Sequence, residues 1–279
     1  MHDIVHTLPD NTFRRALRAG ERQLGLWVNF AHAPIVEVLA GSGFDWLLLD
    51  MEHTPSDLNI VGQQLLALRG TPVAPIVRIP VHDIAWTKRV LDAGAPNIMI
   101  PNIRSAAEAR EAVSWTRFAP EGLRGVASST RAGGWLRRKD FLARANDEIG
   151  VIVQIESREA LDDLEAICAV PGVDAVFIGP SDLAASLGHR GNAGHPEVQA
   201  AISRAIATGR ACGCTVGILA ADGRAEPYLA QGATMVGVGT DLHLLIAAAD
   251  ALAQRWRADA APAEVRACRS AAKSDLLDR

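Results

Sequence analysis

Eight short apolar runs, none broken by a regular polar alternation, recur along this chain. They are LGLWV (24–28), DWLLLD (45–50), APIVRI (74–79), NIMIP (97–101), VIVQIE (151–156), AVFIGP (175–180), TVGILA (215–220) and MVGVGT (235–240). A strand whose two faces are both covered loses its polar alternation, and that is the condition of strands in a parallel sheet. Most gaps between the runs carry helical periodicity, as in SDLNIVGQQLLALRG, SREALDDLEAICAVPG and HPEVQAAISRAIATGRACG. Eight such alternations predict a single α/β domain, a (β/α)8 barrel. An open doubly wound sheet would carry a glycine-rich fingerprint after its first strand, and NFAHAP has none. With 279 residues the chain is long enough for one such domain. We place the barrel at 1–257 and read 258–279, rich in alanine and charge, as a polar tail or surface helix.

The stretch from 102 to 150 is the longest excursion between runs. It holds one good helix, SAAEAREAVSWTRF, and then a loop-like segment, APEGLRGVASSTRAGGW. Excursions of this length are usually functional, or places where subunits meet. Net charge is -4 with no long basic run, which excludes the electrostatic footprint of a nucleic-acid binder or an anionic-membrane binder. No apolar stretch has the length of a membrane span, and the N-terminus lacks an apolar signal core. Of the four cysteines, Cys212 and Cys214 form C-x-C, but no second pair lies at zinc-site spacing. Free thiols in a reducing cytoplasm are the expectation.

In a barrel, chemistry collects where strands end. The second run ends in Asp50, with His53 three residues on. The third carries Arg78, the fourth ends in Pro101 and Asn102, the fifth holds Gln154 and Glu156, and the sixth leads into Ser181 and Asp182. Asp50 and Asp182 each have an ordinary alternative as helix N-caps. Glu156 does not, because Ser157 already fills that need. Arg78 would be costly to bury without an anionic partner, and its ordinary alternative is a structural ion pair. Glu156 and Asp182, at the mouths of adjacent strands, form an oxygen pair suited to Mg2+ or Mn2+. His53 is the expected base, since histidine exchanges protons near neutral pH, and Asp50 is its expected local orienting partner. Glu52 is left a supporting role, pairing with an arginine. Only three lysines occur, Lys88, Lys139 and Lys273, none in a strand or at its end, which argues against Schiff-base chemistry.

Taken in order, GFDWLLLDMEHTP, VRIP, LDAGA, LRGV, VQIESREAL, GVDAVFIGPSDLAASLG, HPEVQAAI and GILA closely resemble the class II pyruvate aldolases of the 4-hydroxy-2-oxoheptanedioate aldolase family. That family includes the 2-keto-3-deoxy-L-rhamnonate and 5-keto-4-deoxy-D-glucarate aldolases. The resemblance runs from about Leu24 to Arg257. It implies a reversible aldol cleavage to pyruvate and an aldehyde such as succinic semialdehyde, in the catabolism of aromatic compounds, with a divalent metal (Mg2+, Mn2+ or Co2+). By the same resemblance Glu156 and Asp182 would hold the metal, and Gln154, Ser181, Asp182 and Leu219 would contact substrate. Arg78 would stabilise the enolate, His53 would accept the proton, and Asp92 in LDAGA would support that histidine. It further implies a hexamer with an exchanged last helix. Ser181 stands where some members have alanine, and His32 and Ala33 lie in a loop that varies. Two rivals are a CoA-thioester lyase similar to the citrate lyase β-subunit, using the arginine-bearing loop 124–138, and a non-catalytic barrel.

Overall fold

The structure, a computed structural model, describes residues 7–221 and 224–259, with side chains to residue 257. The order of elements begins α1 (Thr12–Arg18), β1 (Gln23–Val28), α2 (Ala33–Ala40), β2 (Trp46–Asp50), α3 (Leu58–Ala67), β3 (Ala74–Arg78), α4 (Ile84–Asp92), β4 (Asn97–Ile100) and α5 (Ala106–Thr116). It continues with α6 (Phe141–Arg144), β5 (Gly150–Ile155), α7 (Arg158–Asp162), α8 (Leu164–Cys168), β6 (Ala175–Ile178), α9 (Pro180–Ser186), α10 (Pro196–Ala211), β7 (Thr215–Leu219), α11 (Glu226–Gln231), β8 (Met235–Thr240) and α12 (Asp241–Asp259). The eight strands close into a parallel barrel in sequence order, β1 pairing with both β2 and β8. Every strand falls on one of the eight apolar runs. The chain is therefore a (β/α)8 barrel.

Two apolar layers follow from the alternation of side chains along each strand. One set, including Leu47, Leu49, Val77, Ile98, Val151 and Val153, packs outward under the helices. The other, including Trp46, Leu48, Ile76, Met99, Ile152 and Phe177, fills the interior. Trp46 needs room inside, and β1 supplies it: a Cβ on Gly25 would lie 1.9 Å from the indole.

Helix α1 was not foreseen from the runs, and it seals the floor of the barrel. Asn11 caps it by accepting from the Arg14 amide, and Phe13 and Leu17 join the interior cluster. Arg14 and Arg18 both reach Asp174, just ahead of β6, at 2.9 and 2.6 Å. Thr215, at the start of β7, donates to the Leu17 carbonyl.

The excursion after β4 forms α5 and then a loop over 117–140. Two of its arginines are committed to protein groups nearby in the fold. Arg124 is buried over Phe118, 4.5 Å from the ring centre, and pairs with Asp92 at 3.0 Å. Arg131 donates to the Ala93 and Leu65 carbonyls. These contacts lie at the C-terminal end of α4, the end of the barrel remote from the strand tips.

The chain divides after Asp241. In the second unit, α12 leaves Leu244, Leu245, Ile246, Leu252 and Trp256 exposed. Of the tail expected over 258–279, residues 260–279 and Cys268 and Lys273 with them lie outside the described residues. No described helix is long and apolar enough to cross a membrane.

Candidate active site

The interior stripes end in polar residues. On β2 the stripe runs Trp46, Leu48, Asp50; on β3, Ile76 and Arg78; on β5, Ile152, Gln154 and, one residue past the strand, Glu156. A period of two thus carries each apolar stripe up to a polar tip at the C-terminal rim. The register pairs Asp50 with Arg78, so the two side chains stand side by side on adjacent strands.

Arg78 is buried and held as a fork. Its Nε donates to Asp50 Oδ1 at 2.8 Å and its Nη2 to Asp50 Oδ2 at 2.7 Å. Nη1 lies 3.4 Å from Gln154 Oε1, and the guanidinium carbon sits 4.8 Å above the Trp27 ring. The Trp27 indole N–H points at Asp50 Oδ2, 3.4 Å away. A bidentate fork with a stacked ring is the geometry in which a buried guanidinium is least costly. Burial pushes the Asp50 carboxyl up, but the hydrogen bonds and charge of Arg78 outweigh it and hold Asp50 below the ordinary carboxylate range.

This corrects the expected partnership of Asp50 with His53. Both Asp50 oxygens are taken by Arg78, and Oδ1 also accepts the Glu52 amide. The carboxylate beside His53 is Glu52, with Oε2 3.8 Å from His53 Nε2. The same Glu52 oxygen lies 2.7 Å from Arg78 Nη1 yet makes no aligned hydrogen bond, so charge alone holds it there. Burial is the main cause that raises the Glu52 carboxyl, against the opposing charge of Arg78. His53 is solvent-exposed, with 63% of its side chain accessible.

Asp92 is also displaced from its expected place. It ends α4 and pairs with Arg124 at the far end of the barrel, so within one chain it does not stand beside His53. Ser181 and Asp182 are exposed in the first turn of α9. Leu219, half-buried at the tip of β7, packs against the interior cluster. Lys88 lies in α4 and Lys139 in the 117–140 loop, away from the strand tips.

Glu156 is buried, and its Oε1 accepts the Asn102 amide at 2.6 Å while Oε2 faces Gln154 Nε2 at 3.3 Å. Burial pushes its carboxyl up to about 7, with the charges of Glu52 and Asp182 adding to the rise. Gly179 leaves open the space over it, since a Cβ there would lie 2.6 Å from Glu156 Oε2. Asp50 and Glu52 thus pair with one guanidinium, and the charges of Glu52 and Asp182 both act on Glu156. A surplus of oxygen donors, one of them buried and reluctant to ionise alone, fits a hard divalent cation.

Three contributors escaped the sequence reading in part or whole. Trp27 lies next to the end of a run that reads as plain core. Gly179 reads only as part of the end of an apolar run. Asn102 was noted as a strand end, but not its backbone. Its φ of 57° is left-handed, which turns its N–H toward Glu156, and asparagine tolerates that region better than most residues. Asn102→Gly should keep metal affinity within about twofold. Asn102→Val, strained by roughly 1–3 kcal/mol at such a φ, should weaken metal binding about tenfold. Calorimetric titration with Mn2+ checks both, and wild-type affinity in the valine variant would remove the amide from the site.

Residues 23–248 match the family model described as HpcH/HpaI aldolase/citrate lyase. The chain is 49% identical over 253 residues to a protein of Shigella sonnei (strain Ss046) named 4-hydroxy-2-oxo-heptane-1,7-dioate aldolase, covering 90% of this chain and 97% of that one. Among solved structures, an HpcH/HpaI aldolase/citrate lyase family protein from Burkholderia cenocepacia J2315 superposes with a TM-score of 0.86 at 42% identity. It covers 88% of this chain and 99% of the other. An HpcH/HpaI aldolase from Desulfitobacterium hafniense DCB-2 gives 0.82 at 29% identity, over 90% and 97%.

Proposed function

The chain belongs to the HpcH/HpaI aldolase/citrate lyase family, and from that premise we propose that it cleaves a 4-hydroxy-2-oxo acid of the heptanedioate type, reversibly, to pyruvate and an aldehyde such as succinic semialdehyde. It is an aldolase, a carbon–carbon lyase. The observation that carries the substrate class is the rim itself. A surplus of carboxylates gathers about Glu156 beside a guanidinium whose fork is fixed by Asp50.

Glu156 and Asp182 would hold the divalent ion, with Mg2+, Mn2+ or Co2+ in keeping with oxygen donors. When bound, the ion supplies Lewis-acid stabilisation of charge developing on the 2-oxo oxygen. Arg78 contributes a fixed positive charge beside that oxygen, as an oxyanion hole does. Asp50 occupies two of its nitrogens and leaves Nη1, which faces Gln154 and Glu52, to meet the substrate. His53 accepts the C4 hydroxyl proton as the C3–C4 bond breaks and the electron pair moves toward the 2-oxo group. The aldehyde departs, and a proton from solvent at C3 completes pyruvate. Exposure of His53 lets it return its proton to water. The N–H groups of Ser181 and Asp182, in the first turn of α9, have no i−4 carbonyl to bind and are available to the pyruvate carboxylate. Leu219 lines the apolar side.

Asp92 can serve His53 only from a second copy of the chain. That accords with a homo-oligomer, read as a hexamer by resemblance, in which the apolar side chains of α12 pack against a partner. A cytoplasmic setting suits Cys168, Cys212 and Cys214 as free thiols.

Pyruvate release from a panel of 4-hydroxy-2-oxo acids, coupled to lactate dehydrogenase with added Mn2+ or Mg2+, tests the reading. His53→Ala should lower turnover by roughly two to four orders of magnitude and leave metal affinity intact. Cleavage of malyl-CoA in preference to the oxo acids, or turnover that survives exhaustive chelation, would overturn it.

A further inference from the structure

A second, chemically different cluster of metal-binding side chains lies outside the rim. His189 follows α9, and His195 and Glu197 stand at the start of α10. Ligand atoms of all three lie within 4.8 Å of one another. His189 Nε2 is 2.8 Å from Glu197 Oε2, so a single proton bridges the two. The His189 and His195 rings stack with centres 3.5 Å apart and planes within 16°. His195 Nδ1 accepts the Glu197 amide at 3.2 Å, so that nitrogen carries no proton, which is the form a metal requires. Glu197 also lies 4.0 Å from Arg158 Nη2.

We propose that His189, His195 and Glu197 form a binding site for a borderline divalent transition ion such as Zn2+, separate from the oxygen pair at the barrel mouth. The ion takes the place of the proton between His189 and Glu197, and of the cap hydrogen bond on His195. Two imidazoles and one carboxylate favour Zn2+, Ni2+ or Cu2+, whereas an all-oxygen set favours Mg2+. Metal bonds of about 2.0–2.2 Å set tetrahedral ligand atoms some 3.4 Å apart, so atoms that already lie within 4.8 Å of one another have little distance left to close. The bond to His195 costs α10 a long cap interaction, and Pro196 at the first helical position has no amide to leave unpaired. The loop from 188 to 195 becomes clipped at both ends by one ion.

The two sites are separable because they differ in softness. The full chain, stripped by chelation and refilled with excess Mg2+, is titrated with Zn2+ by calorimetry and then examined with Cu2+ by electron paramagnetic resonance. One Zn2+ per chain should bind beyond the Mg2+, and the copper spectrum should show splitting from two nitrogens. His189→Ala should remove that Zn2+. His195→Asn, which keeps a helix-capping oxygen, should weaken it at least tenfold. Both variants should retain Mg2+-supported pyruvate release and an unchanged far-ultraviolet dichroism spectrum. No Zn2+ uptake by the wild type, uptake that His189→Ala leaves intact, or a copper spectrum without nitrogen splitting overturns the proposal. None of these outcomes depends on which oxo acid the enzyme cleaves.

Discussion

Glu156→Gln should abolish metal-supported turnover and at the same time make the metal-free fold more stable at pH 8. Burial, aided by the charges of Glu52 and Asp182, lifts this carboxyl from an ordinary 4.5 to about 7. A folded state that binds its proton more tightly than the unfolded chain loses stability as pH rises between those two values. Above pH 7 the full cost of an ionised, buried carboxylate is present, on the order of 3 kcal/mol for a shift of this size. A neutral amide removes that cost. It can still accept the Asn102 amide. The variant loses the charge a divalent ion needs, so turnover should fall by at least about a thousandfold, the scale of losing a charge-stabilising group at a reacting centre. Thermal melts in chelator at pH 5.5 and pH 8 check the sign: the gain over wild type should be present at pH 8 and shrink at pH 5.5. Added Mn2+ should raise the wild-type midpoint and leave that of the variant unmoved. In the wild type, Mn2+ affinity should climb with pH up to about 7 and then level off, because a proton competes for the same oxygen. A variant that still binds Mn2+ with wild-type affinity would take Glu156 out of the ligand set.

Arg78→Lys should lower kcat by about 10²–10³, the usual effect of removing one oxyanion donor, while Mn2+ affinity stays near that of the wild type. A lysine preserves the charge but not the fork. It cannot meet both Asp50 oxygens, sit over Trp27 and present a further donor to substrate at once. Because the pair is buried, its rupture should also cost roughly 3 kcal/mol of stability. Asp50→Asn separates positioning from charge. It leaves Arg78 present but loosely aimed, so kcat should fall more than KM rises. The double variant should be little worse than Arg78→Lys alone, because the two residues act as a unit. Fully additive losses would show that Asp50 does something other than hold Arg78.

The barrel was legible because its strands are covered on both faces, so each of the eight apolar runs announced itself. The rim was legible for a related reason: Asp50, Arg78, Gln154 and Glu156 are polar residues that close apolar stripes. Who pairs with whom was not. Asp50 and His53 are three apart in sequence, and proximity suggested a partnership. Register decides otherwise, because Asp50 stands opposite Arg78 on the neighbouring strand. Glu52 meets an arginine as expected, Arg78, and also falls beside His53, which the sequence did not suggest. Asp92 was carried over from a motif, and motifs do not say at which end of a barrel a helix terminates. Helix α1 was missed because its seven residues bear only two interior side chains, Phe13 and Leu17, too few for a periodic signal. The left-handed turn at Asn102 leaves no trace in a pattern of hydrophobicity.

The floor of the barrel also sets a timetable for synthesis. Helix α1 and β1 are made before the rest of the barrel; β2 covers one edge of β1 early, but its other edge waits for β8. Gln23 pairs with Met235, and the partners of α1 include Asp174 and Thr215, the latter 198 residues downstream of Leu17. Contacts so far apart in sequence must await nearly the whole chain. Until then Phe13 and Leu17 have only part of their cluster to enter, because Ile152, Phe177 and Met235 are made late. That is the interval in which a chaperone would have most to do.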